Sequence, residues 1–578
     1  MGLITTNEAK CLDCYKCVRT CPVKAIAISN TNDKNAPHVS IIDELCVKGG
    51  CCIEICPQSA KKLNHSDLEQ VKQLLANGEK LVCTVAPSFV AAVPLSADLM
   101  PSLLRQLGFE IVEETSVGAG MVSRRHLQIG FEEPLISSSC PVIVNLVERY
   151  YPELISMLAP VVSPMIAHGR YLKQRYPDAK VVFVGPCVAK KDEYTTASIN
   201  DAVDFVLGFN ELWQLVEQLG VDLNSLFPAK FDNPVTGDAS LYPLDGGMFK
   251  GIKDGLSSPD EEYFSASGLE DCMEFLNHLA AGNVAEPPKL IELLACKGGC
   301  INGPLALDQD QSLYARKRKV LNYYQSFINT ADDQPLPELP VEQLTRSYQS
   351  QKLDLPLPTE ADLREILAKT GKVKTEDELN CGACGYDTCR DKAVAVFQGK
   401  AEVEMCIPYM RKRAESLSNV VTSAMPNGII IADEGLKVLE INPAAEKLFN
   451  ISASKIVGEN LSALINTSNF NRAVKDGSMI HVCCTYPDRN IVTSEFIFPV
   501  VEENIVVGIF VDITEEKRQR EQFELIKNQT IMQSQEVIEK QMMVAQEIAG
   551  LLGEATAESK IQLTKLIKLM REEPQQRG

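Results

Sequence analysis

The chain contains no long apolar run. Although 45% of its 578 residues are hydrophobic, no window reaches the roughly 18 uninterrupted apolar residues of a membrane-spanning helix. The opening stretch MGLITTNEAKCLDCYKC also lacks the apolar core of a secretory signal peptide. We therefore expect no membrane role and a cytoplasmic location.

A basic surplus is absent as well. The 77 Asp and Glu residues outnumber the 57 Lys and Arg residues, which gives a net charge of -20 at pH 7. Because the two signs are interspersed along the chain, a polyanion would be repelled rather than gathered. Nucleic acid is therefore excluded as the main partner. The length and hydrophobic content instead predict about three to five domains with cores of their own.

What the chain has in excess is cysteine, with 20 residues. Disulfide pairing is not expected without an export signal, and so many thiols favour metal binding. Most of the cysteines fall into three tight groups or follow apolar runs. No pattern assigns a role to Cys83, Cys272, Cys483 and Cys484.

The first group repeats the spacing of bacterial two-cluster ferredoxins. It reads CLDCYKCVRTCP and then CVKGGCCIEICP, and the fourth cysteine of each run is expected to reach the other cluster. The predicted ligand sets of two 4Fe-4S clusters are Cys11, Cys14, Cys17 and Cys56 for one, and Cys21, Cys46, Cys51 and Cys52 for the other. The alternative is a zinc knuckle, against which the two Cys-Pro endings and the repeat argue.

The second copy departs from this spacing at one position. Gly49 stands where a cysteine is expected, and Cys51 is the obvious substitute. Adjacent Cys51 and Cys52 can both bind one cluster only if the backbone bends, which Gly49 and Gly50 permit.

Between about residues 66 and 345, predicted strands alternate with predicted helices. The apolar stretches KLVCTVAPS, KVVFVGPC and KLIELLACKGGC each run into a Pro or Gly break. In a parallel α/β sheet such breaks fall at the carboxyl ends of strands, where sites are built. Taken singly, a cysteine there is more often a core residue, but the shared context favours a buried 4Fe-4S cubane. Its predicted ligands are Cys140, Cys187, Cys296 and Cys300, with Gly298-Gly299 letting the backbone pass close to the metal.

Three segments, SSSCP, GPCVAKKDE and ACKGGCINGP, follow the ferredoxin-type repeat in this order. They resemble the signature loops of the iron-only ([FeFe]) hydrogenases, and the resemblance covers roughly residues 1 to 310. It implies that Cys140, Cys187, Cys296 and Cys300 hold the cubane of an H-cluster. It also implies that Cys300 bridges to a two-iron subcluster bearing CO, cyanide and an azadithiolate. The substrates would be H2 and protons, with a ferredoxin-like protein as redox partner.

The same resemblance assigns contacts to the diatomic ligands. Lys190 matches the lysine that binds one cyanide, which suits an ammonium because it donates several hydrogen bonds to an anionic ligand. Pro87 and Ser88 match the loop that holds the other cyanide.

The chain departs from the hydrogen-producing members of that family along the proton path. Ser139 stands where those members have a proton-donating cysteine, and a hydroxyl is a poor relay near neutral pH because its pKa is far above that of a thiol. The carboxylates that continue the path are replaced by basic and apolar residues. Among them, His126 is a candidate relay, although a single helix histidine is more often structural. We therefore expect slow turnover.

Other departures surround the two-iron site. Gly185, Met165 and Leu294 stand where the family usually has Met, Gln and Met, and the third loop closes with CINGP rather than three glycines. The resemblance therefore predicts an altered pocket around an intact set of cubane ligands.

The third cysteine group reads CGACGYDTCRDKAVAVFQGKAEVEMC. It resembles the small iron-sulfur domain of corrinoid proteins and regulatory hydrogenase homologues. The predicted ligands of a further 4Fe-4S cluster are Cys381, Cys384 and Cys389 on a Gly-rich loop and Cys406 at the end of a helix.

The remaining sequence carries no metal pattern. Residues 415–516 resemble a PAS sensor domain: two strands join at Glu434-Gly435, a helix starts near Asn442-Pro443, two more strands follow, and a charged helix leaves after the sequence DIT. No residue argues for haem or flavin there. Beyond residue 517, apolar stripes that include Val544, Ile548, Leu551, Leu552 and Leu563 predict a dimer coiled coil or a docking helix.

The predicted fold is therefore α/β and multidomain. It comprises a ferredoxin-like α+β module over 1–65, an α/β hydrogenase-type domain over 66–345, a small helical 4Fe-4S domain over 346–412, an α+β PAS domain over 413–516, and a helical signalling or dimerisation tail over 517–578.

Two functions compete on this sequence. The first is a sensory iron-only hydrogenase with slow, reversible H2 oxidation and proton reduction, which signals through its clusters, a PAS domain and a bound phosphatase or kinase. The second is a non-catalytic iron-sulfur redox sensor or scaffold that holds only the cubane. A bulk hydrogen-producing enzyme is disfavoured, because Ser139 replaces the proton donor and the C-terminal third would be unused.

Overall fold

The computed structural model describes residues 2–28, 39–234, 236–258, 262–307, 311–328, 336–549 and 556–571. The chain divides into two compact units, Met1–Met410 and Arg411–Gly578. Leu551 and Leu552, which belong to the predicted apolar stripes of the tail, lie outside the described residues, and so does the side chain of Ile548.

The strands are short and are numbered here in chain order. They are β1 Ile4–Thr6, β2 Ile26–Ile28, β3 Val39–Ile41, β4 Lys61–Leu63, β5 Leu81–Val85, β6 Ile111–Glu114, β7 Leu135–Ile136, β8 Lys180–Gly185, β9 Phe205–Gly208, β10 Tyr263–Ser267, β11 Leu290–Leu294, β12 Gly428–Asp433, β13 Val438–Ile441, β14 Ile480–Tyr486, β15 Ile491–Val500 and β16 Ile505–Asp512.

Helices fill most of the connections between these strands. The α-helices of the first unit are Lys16–Thr20, Cys51–Glu54, Leu68–Ala76, Phe89–Ala92, Met100–Gln106, Ser116–Ile129, Pro141–Tyr150, Pro164–Arg175, Lys190–Glu193, Phe209–Leu219, Leu269–Ala280, Leu313–Ile328, Val341–Leu344, Glu360–Lys369 and Cys389–Phe397. Those that follow are Ile407–Ala424, Pro443–Phe449, Ala453–Ile456, Ser468–Asp476, Thr514–Ala549 and Thr556–Arg571.

A four-stranded parallel sheet, in the order β6-β5-β8-β9, forms the centre of the first unit. Its central strand β5 reads LVCTV and is buried on both faces, as expected where helices cover both sides of a parallel sheet. Leu81, Cys83 and Val85 pack into one core, while Val82 packs into the core on the opposite face. Cys83 is therefore a core residue.

A second parallel sheet, in the order β10-β11-β7, lies in the same unit. Its central strand β11 reads LIELL and is also fully buried. The chain continues from β11 into Cys296 and from β7 into Cys140, whereas β8 of the larger sheet continues into Cys187. The convergent cysteines thus follow the carboxyl ends of strands, as the sequence predicts, but they come from two sheets rather than one.

The N-terminal residues form two small antiparallel pairs, β1 with β4 and β2 with β3. The third cysteine segment packs against them. Gly385 has a positive φ of 93°, and a Cβ there would lie only 3.2 Å from the Arg19 nitrogen and from Cγ1 of Val18. The Ile28 N–H also donates to the Lys400 carbonyl at 3.1 Å.

The second unit contains a five-stranded antiparallel sheet in the order β13-β12-β16-β15-β14. The two strand pairs and the first helix occur where the sequence predicts them. Oδ1 of Asn442 accepts hydrogen bonds from the Ala445 N–H at 2.9 Å and the Ile429 N–H at 2.8 Å, so this side chain caps the helix and ties it to β12. On β14, Cys483 is exposed and Cys484 is half-buried.

The tail begins with the 36-residue helix Thr514–Ala549. The Asp512 carboxylate accepts from the Thr514 N–H at 2.9 Å, which caps the start of the helix. Phe523, Ile526 and Met532 are among its exposed apolar side chains. No helix within the described part of the chain is both long and apolar enough to cross a membrane.

Candidate functional site

Four cavities in the first unit are each lined by four cysteines. The four sets are Cys11, Cys14, Cys17 and Cys56; Cys21, Cys46, Cys51 and Cys52; Cys381, Cys384, Cys389 and Cys406; and Cys140, Cys187, Cys296 and Cys300. Each set is one that the sequence groups together, including the crossed arrangement of the N-terminal repeat. Whether each set binds a cluster stays a prediction.

Single-ion sites are a separate matter. Across the residues that the structure describes, no three His, Cys, Asp or Glu side chains lie close enough together to hold one metal ion. The cysteines instead surround spaces between them, and a 4Fe-4S cluster places its four thiolates around a cubane rather than on one ion.

The bend that the second cavity requires is present in the backbone. Gly50 has a positive φ of 79° and directly precedes the short helix Cys51–Glu54, so both adjacent cysteines start that helix. A side chain at Gly50 would also collide with Pro304, since a Cβ would lie 2.6 Å from its Cγ. Burial raises the pKa of the Cys51 thiol to about 12, and nearby Cys21 and Cys46 add to the effect.

The third cavity carries positive charge. The Lys372 ammonium is buried and donates to Sγ of Cys406 at 3.1 Å, and Lys392 also lines the cavity. Cys389 begins the helix Cys389–Phe397, capped by Thr388, whose hydroxyl accepts from the Asp391 N–H at 3.0 Å. Cys406 is the C-cap of the short 3-10 helix Val403–Met405, so it lies at the end of a helix, although not of the helix that Cys389 begins.

The fourth cavity is much larger than the others. It encloses about 960 Å³, counting space open to solvent, against about 480, 360 and 350 Å³ for the cavities of the third, second and first sets. We call it the large cavity. It is lined by Cys140, Cys187, Cys296 and Cys300 together with the other residues that the resemblance assigns, Pro87, Ser88, Ser139 and Lys190.

Local backbone features place the cysteines of the large cavity. Cys140 precedes Pro141, which starts the helix Pro141–Tyr150. Gly298 and Gly299 have φ values of 80° and 102°. A Cβ at Gly299 would clash with the Pro243 carbonyl, so the CKGGC loop needs glycine both for its conformation and for this close approach.

Burial disfavours the thiolate form of these cysteines. It raises the pKa of the Cys187 thiol to about 11, and the nearby Cys140 adds to the shift. The pKa values of Cys296 and Cys300 are raised in the same way, first by burial and then by the neighbouring cysteines. Four thiolates this close together require a compensating positive charge, which iron supplies.

Two polar groups of the large cavity fit anionic ligands. Oγ of Ser88 is buried and has no hydrogen-bond partner among the described residues, so its hydroxyl is available to a bound group. The Lys190 ammonium donates to Glu193 at 2.8 Å, which leaves two of its three N–H groups for other acceptors. The next residue, Lys191, is instead buried against Glu211 at 2.8 Å and plays a structural part.

The proton-path residues named from the sequence have different positions. Ser139 lines the large cavity, and its hydroxyl accepts from the Ser137 hydroxyl at 3.2 Å. His126 is buried but is not among the residues that line the cavity. Its Nδ1–H donates to the Val122 carbonyl at 2.8 Å, and its Nε2 has no partner among the described residues. Burial lowers the pKa of His126 to about 4.

Two of the three altered positions around the site lie in its wall. Met165 and Leu294 line the large cavity. Gly185 leaves room for the Phe183 ring, because a Cβ at Gly185 would lie 2.7 Å from Cε1 and Cζ of that ring. Phe183 itself lines the cavity and narrows it on this side.

Glu292 is a cavity residue that the sequence analysis did not identify. It lies on β11, lines the large cavity, and accepts a short hydrogen bond from the Tyr263 hydroxyl. Burial raises the pKa of its carboxyl to about 8. A single acidic residue inside the apolar run KLIELLAC was the available signal. Thr115 and Tyr242, which also line the cavity, carried no such signal.

Neighbouring cavities share wall residues. Gly49 lines both the large cavity and the cavity of Cys21, Cys46, Cys51 and Cys52. Tyr386 lines the cavity of the third set, and its pKa is raised to about 12 by burial together with the nearby Cys384 and Cys21 thiols. The large cavity therefore adjoins the cavity of Cys21, Cys46, Cys51 and Cys52, and Tyr386 brings the cavity of the third set near Cys21.

Comparison with known families identifies four regions of similarity. The model of the iron-only hydrogenase large subunit, C-terminal domain, matches residues 79–304. A 4Fe-4S dicluster domain matches residues 10–60, an Fe-S cluster domain matches 377–408, and the PAS fold matches 416–478.

Individual relatives share parts of the chain. The NADP-reducing hydrogenase subunit HndD of Solidesulfovibrio fructosivorans is 28% identical over 378 residues, and the match covers 52% of this chain and 64% of that protein. The cytosolic Fe-S cluster assembly factor NAR1 of Eremothecium gossypii is 34% identical over 121 residues, covering 21% of this chain and 26% of that protein. A solved [FeFe]-hydrogenase of Chlamydomonas reinhardtii matches 50% of this chain and 100% of its own at 18% identity, with a TM-score of 0.38.

Proposed function

We propose that this chain, which carries an iron-only hydrogenase domain together with iron-sulfur and PAS domains, is a sensory hydrogenase of low turnover. It responds to H2 or to redox state at an H-cluster in the large cavity. Its 4Fe-4S clusters carry electrons away, and the PAS domain and tail pass the signal to a partner protein in the cytoplasm.

The observation that carries this proposal is the composition of the large cavity. Four cysteines meet there, as in the smaller cavities, but here they follow strands of two sheets, and Lys190 and the unpartnered Ser88 hydroxyl also line the cavity. Lysines and the unpartnered Tyr386 hydroxyl also line the smaller cavity of the third set, so Lys190 and Ser88 support the proposal only together with the size of the large cavity. The cavity is also about twice as large as the next, about 960 against 480 Å³, which leaves room for a subcluster beside the cubane.

Residues of the chain would hold and orient the bound group. Cys140, Cys187, Cys296 and Cys300 would bind the cubane, and Lys190 and Ser88 would donate hydrogen bonds to anionic ligands. When bound, the two-iron subcluster supplies the reversible cleavage of H2 into protons and electrons. Ser139 would release its hydroxyl proton only with difficulty near neutral pH, since a hydroxyl ionises far less readily than a thiol, and this limits the rate.

The adjoining cavities support an electron path through the first unit. Gly49 lines both the large cavity and that of Cys21, Cys46, Cys51 and Cys52, and Tyr386 lies near both Cys21 and Cys384. Electrons from H2 would therefore reach the Cys21 site first and then the Cys384 site. The lysines that line this last site, Lys372 and Lys392, favour the reduced, more negative form of its cluster.

Infrared spectroscopy of the matured protein tests the proposal. Bands from metal-bound CO and cyanide are expected after maturation, and they should shift when H2 is added. A protein that holds all its cubanes but shows no such bands would contradict the assignment of the large cavity.

The second candidate function is an iron-sulfur scaffold or redox sensor without the subcluster. The matched stretch of the assembly factor NAR1 and the hydroxyl at Ser139 favour it. In this case Lys190→Ala would leave the iron content unchanged, and neither protein would show CO or cyanide bands, because no cyanide is present. In the hydrogenase, the same change should shift or remove the cyanide bands.

For the output, we propose that the tail binds a phosphatase or a kinase, or a second copy of the chain through the PAS domain. Deleting residues 537–578 should abolish partner binding, with cluster content and H2 chemistry intact. Binding should depend on redox state, because a signal can shift an equilibrium only through different affinities for its two states. Loss of iron or precipitation of the truncated protein would instead identify the tail as a core or oligomer element.

A further inference from the structure

A continuous chain of hydrogen bonds leads away from the large cavity. Thr115 lines that cavity, and its hydroxyl lies 2.7 Å from the Thr84 hydroxyl. The Thr84 hydroxyl lies 2.8 Å from Nδ1 of His168, and Nε2 of His168 lies 3.0 Å from Oε2 of Glu113. Every one of these four side chains is buried.

The far end of the chain comes close to solvent. Oε1 of Glu113 lies 3.5 Å from Nη1 of Arg175, whose side chain is 42% exposed. The same carboxylate oxygen has no hydrogen-bond partner among the described residues. The partly exposed Arg175 side chain therefore separates Glu113 from water. The lone pairs of Oε1 of Glu113 can accept a proton or a hydrogen bond from a water molecule.

Along this series of hydrogen bonds, every donor points from the cavity towards Glu113. An ionised Glu113 can only accept, so Nε2 of His168 carries the proton and Nδ1 is the acceptor. The Thr84 hydroxyl then donates to Nδ1, and the Thr115 hydroxyl donates to Thr84. A proton entering at Thr115 can therefore be passed outward without any side chain first having to rotate.

We propose that Thr115, Thr84, His168 and Glu113 form the proton path between the large cavity and solvent. This path would carry the protons that Ser139 transfers poorly and for which the usual carboxylates are missing. The inference rests on the proposed hydrogenase function, because only H2 chemistry requires protons to cross this wall.

Each transfer along the path conserves protons. A proton that arrives at the Thr115 oxygen displaces its own hydroxyl proton to Thr84, and the Thr84 proton moves to Nδ1 of His168. The imidazole then releases its Nε2 proton to Glu113, which passes it to water near Arg175. Each H2 that is oxidised sends two protons along this route, and the two electrons leave through the clusters. Between the two protons the hydroxyls of Thr115 and Thr84 must turn back and His168 must return its proton to Nε2, which restores the starting arrangement.

Close helix packing holds the path in place. Gly118, on the helix Ser116–Ile129, has no room for a side chain, because a Cβ would clash with the Pro164 carbonyl and would lie 2.8 Å from Cβ of His168. The two helices therefore approach closely, and His168 is brought against the ends of β5 and β6, where Thr84, Glu113 and Thr115 lie. The geometry of the path is set by packing rather than by flexible loops.

Substitutions at Thr84 and His168 separate a relay from a structural network. Thr84→Val keeps the shape but removes the hydroxyl, and Thr84→Ser returns it. His168→Gln can still make two hydrogen bonds but cannot carry a proton. Ser102→Ala removes a buried hydroxyl outside the path and serves as the matched control.

The readout is infrared spectroscopy of the matured full chain, not turnover alone. The rate at which the CO and cyanide bands respond to a rapid drop in pH should fall about tenfold or more in Thr84→Val and His168→Gln. Thr84→Ser should recover most of that rate, and Ser102→Ala should leave it unchanged. The positions of the bands before the pH change should be the same in all variants, since the cluster ligands are untouched.

The alternative outcomes are distinct. Unchanged rates in both Thr84→Val and His168→Gln would overturn the path. If Glu292→Gln alone slowed the response, protons would instead leave through the Glu292–Tyr263 pair. An unmutated protein without CO and cyanide bands would contradict the proposed function itself, before any of these variants is made.

Discussion

The large cavity and the cavity of Cys381, Cys384, Cys389 and Cys406 both gather four cysteines, but they are built differently. The smaller one arises from a single local segment, and Lys372 fills part of its wall by donating to Cys406. The large one collects cysteines from the ends of strands in two sheets and leaves Ser88 without a partner.

This difference separates two tasks. A local loop can hold a cluster whose thiolates are all satisfied by the iron, and such a site needs only to accept and release electrons. The large cavity adds a larger volume, a buried carboxyl at Glu292 and a hydrogen-bonded exit through Thr115. These additions are what chemistry on a small bound molecule requires and electron transfer does not.

The largest expected effect comes from removing one cysteine from each cavity. Cys300→Ser should abolish the CO and cyanide infrared bands, because the resemblance makes Cys300 the bridge to the subcluster. Cys389→Ser should leave those bands in place while the protein loses about four iron atoms, the content of one cubane.

Each of these two variants has an outcome that would contradict the distinction between the two cavities. Bands that persist in Cys300→Ser would show that the subcluster is held in some other way. Bands that vanish in Cys389→Ser would show that the smaller site is needed to assemble the larger one, so the two would not be independent.

The next effect concerns the rate at the large cavity. Ser139→Cys places a thiol in the cavity wall, and a thiol exchanges protons near neutral pH far more readily than a hydroxyl. H2 turnover should rise by about tenfold, below the ~10²–10⁴-fold that a complete relay can contribute, because the carboxylates beyond it are missing. The measurement is H2 oxidation with an artificial acceptor, normalised to the intensity of the infrared bands.

Unchanged turnover in Ser139→Cys, with the bands present, would place the rate-limiting proton step elsewhere. The path through His168 is then the first to examine. The combination Ser139→Cys with His168→Gln would decide, since two steps of a single route should not give independent effects.

The two kinds of cavity also differ in how far the sequence predicts them. One short loop contains Cys381, Cys384 and Cys389, so their spacing alone is enough to predict a cluster site. Cys140 and Cys296 are far apart in sequence, and before the sheets are known they are grouped with Cys187 only by their shared position after apolar runs and by the resemblance to the hydrogenase loops. Their origin in two sheets was not predictable, because strand order depends on long-range pairing.

The exit path shows the same limit more strongly. Thr84 and Glu113 face each other in the register of β5 and β6, and His168 reaches them from a helix much later in the chain. No local spacing connects these residues. The sequence instead pointed to His126, which lies in the expected region but has no second partner among the described residues.

A smaller effect tests the least regular of the cluster sites. Cys51→Ser should lower the iron content by about four atoms, from about 18 when four cubanes and the two-iron subcluster are all present. Full iron in Cys51→Ser would remove Cys51 from the ligand set. A starting content near half of that total in the unmutated protein, reconstituted without oxygen, would contradict the assignment of sites more broadly.

The smallest effect concerns His126, the buried histidine on the helix Ser116–Ile129. Its pKa is lowered to about 4 by burial, so the folded protein resists the protonation that an unfolded histidine undergoes near pH 6.5. The unfolded state binds more protons over this interval, and stability should therefore fall as the pH drops from about 6.5 to about 4. At pH 5 the loss attributable to His126 should be about 2 kcal/mol. His126→Leu should abolish that part of the acid sensitivity, measured as the change in urea unfolding midpoint between pH 7.5 and pH 5 in each protein. If His126 instead carried protons from the cavity, His126→Leu would also slow the infrared response to a pH drop, and the path through His168 would lose its priority.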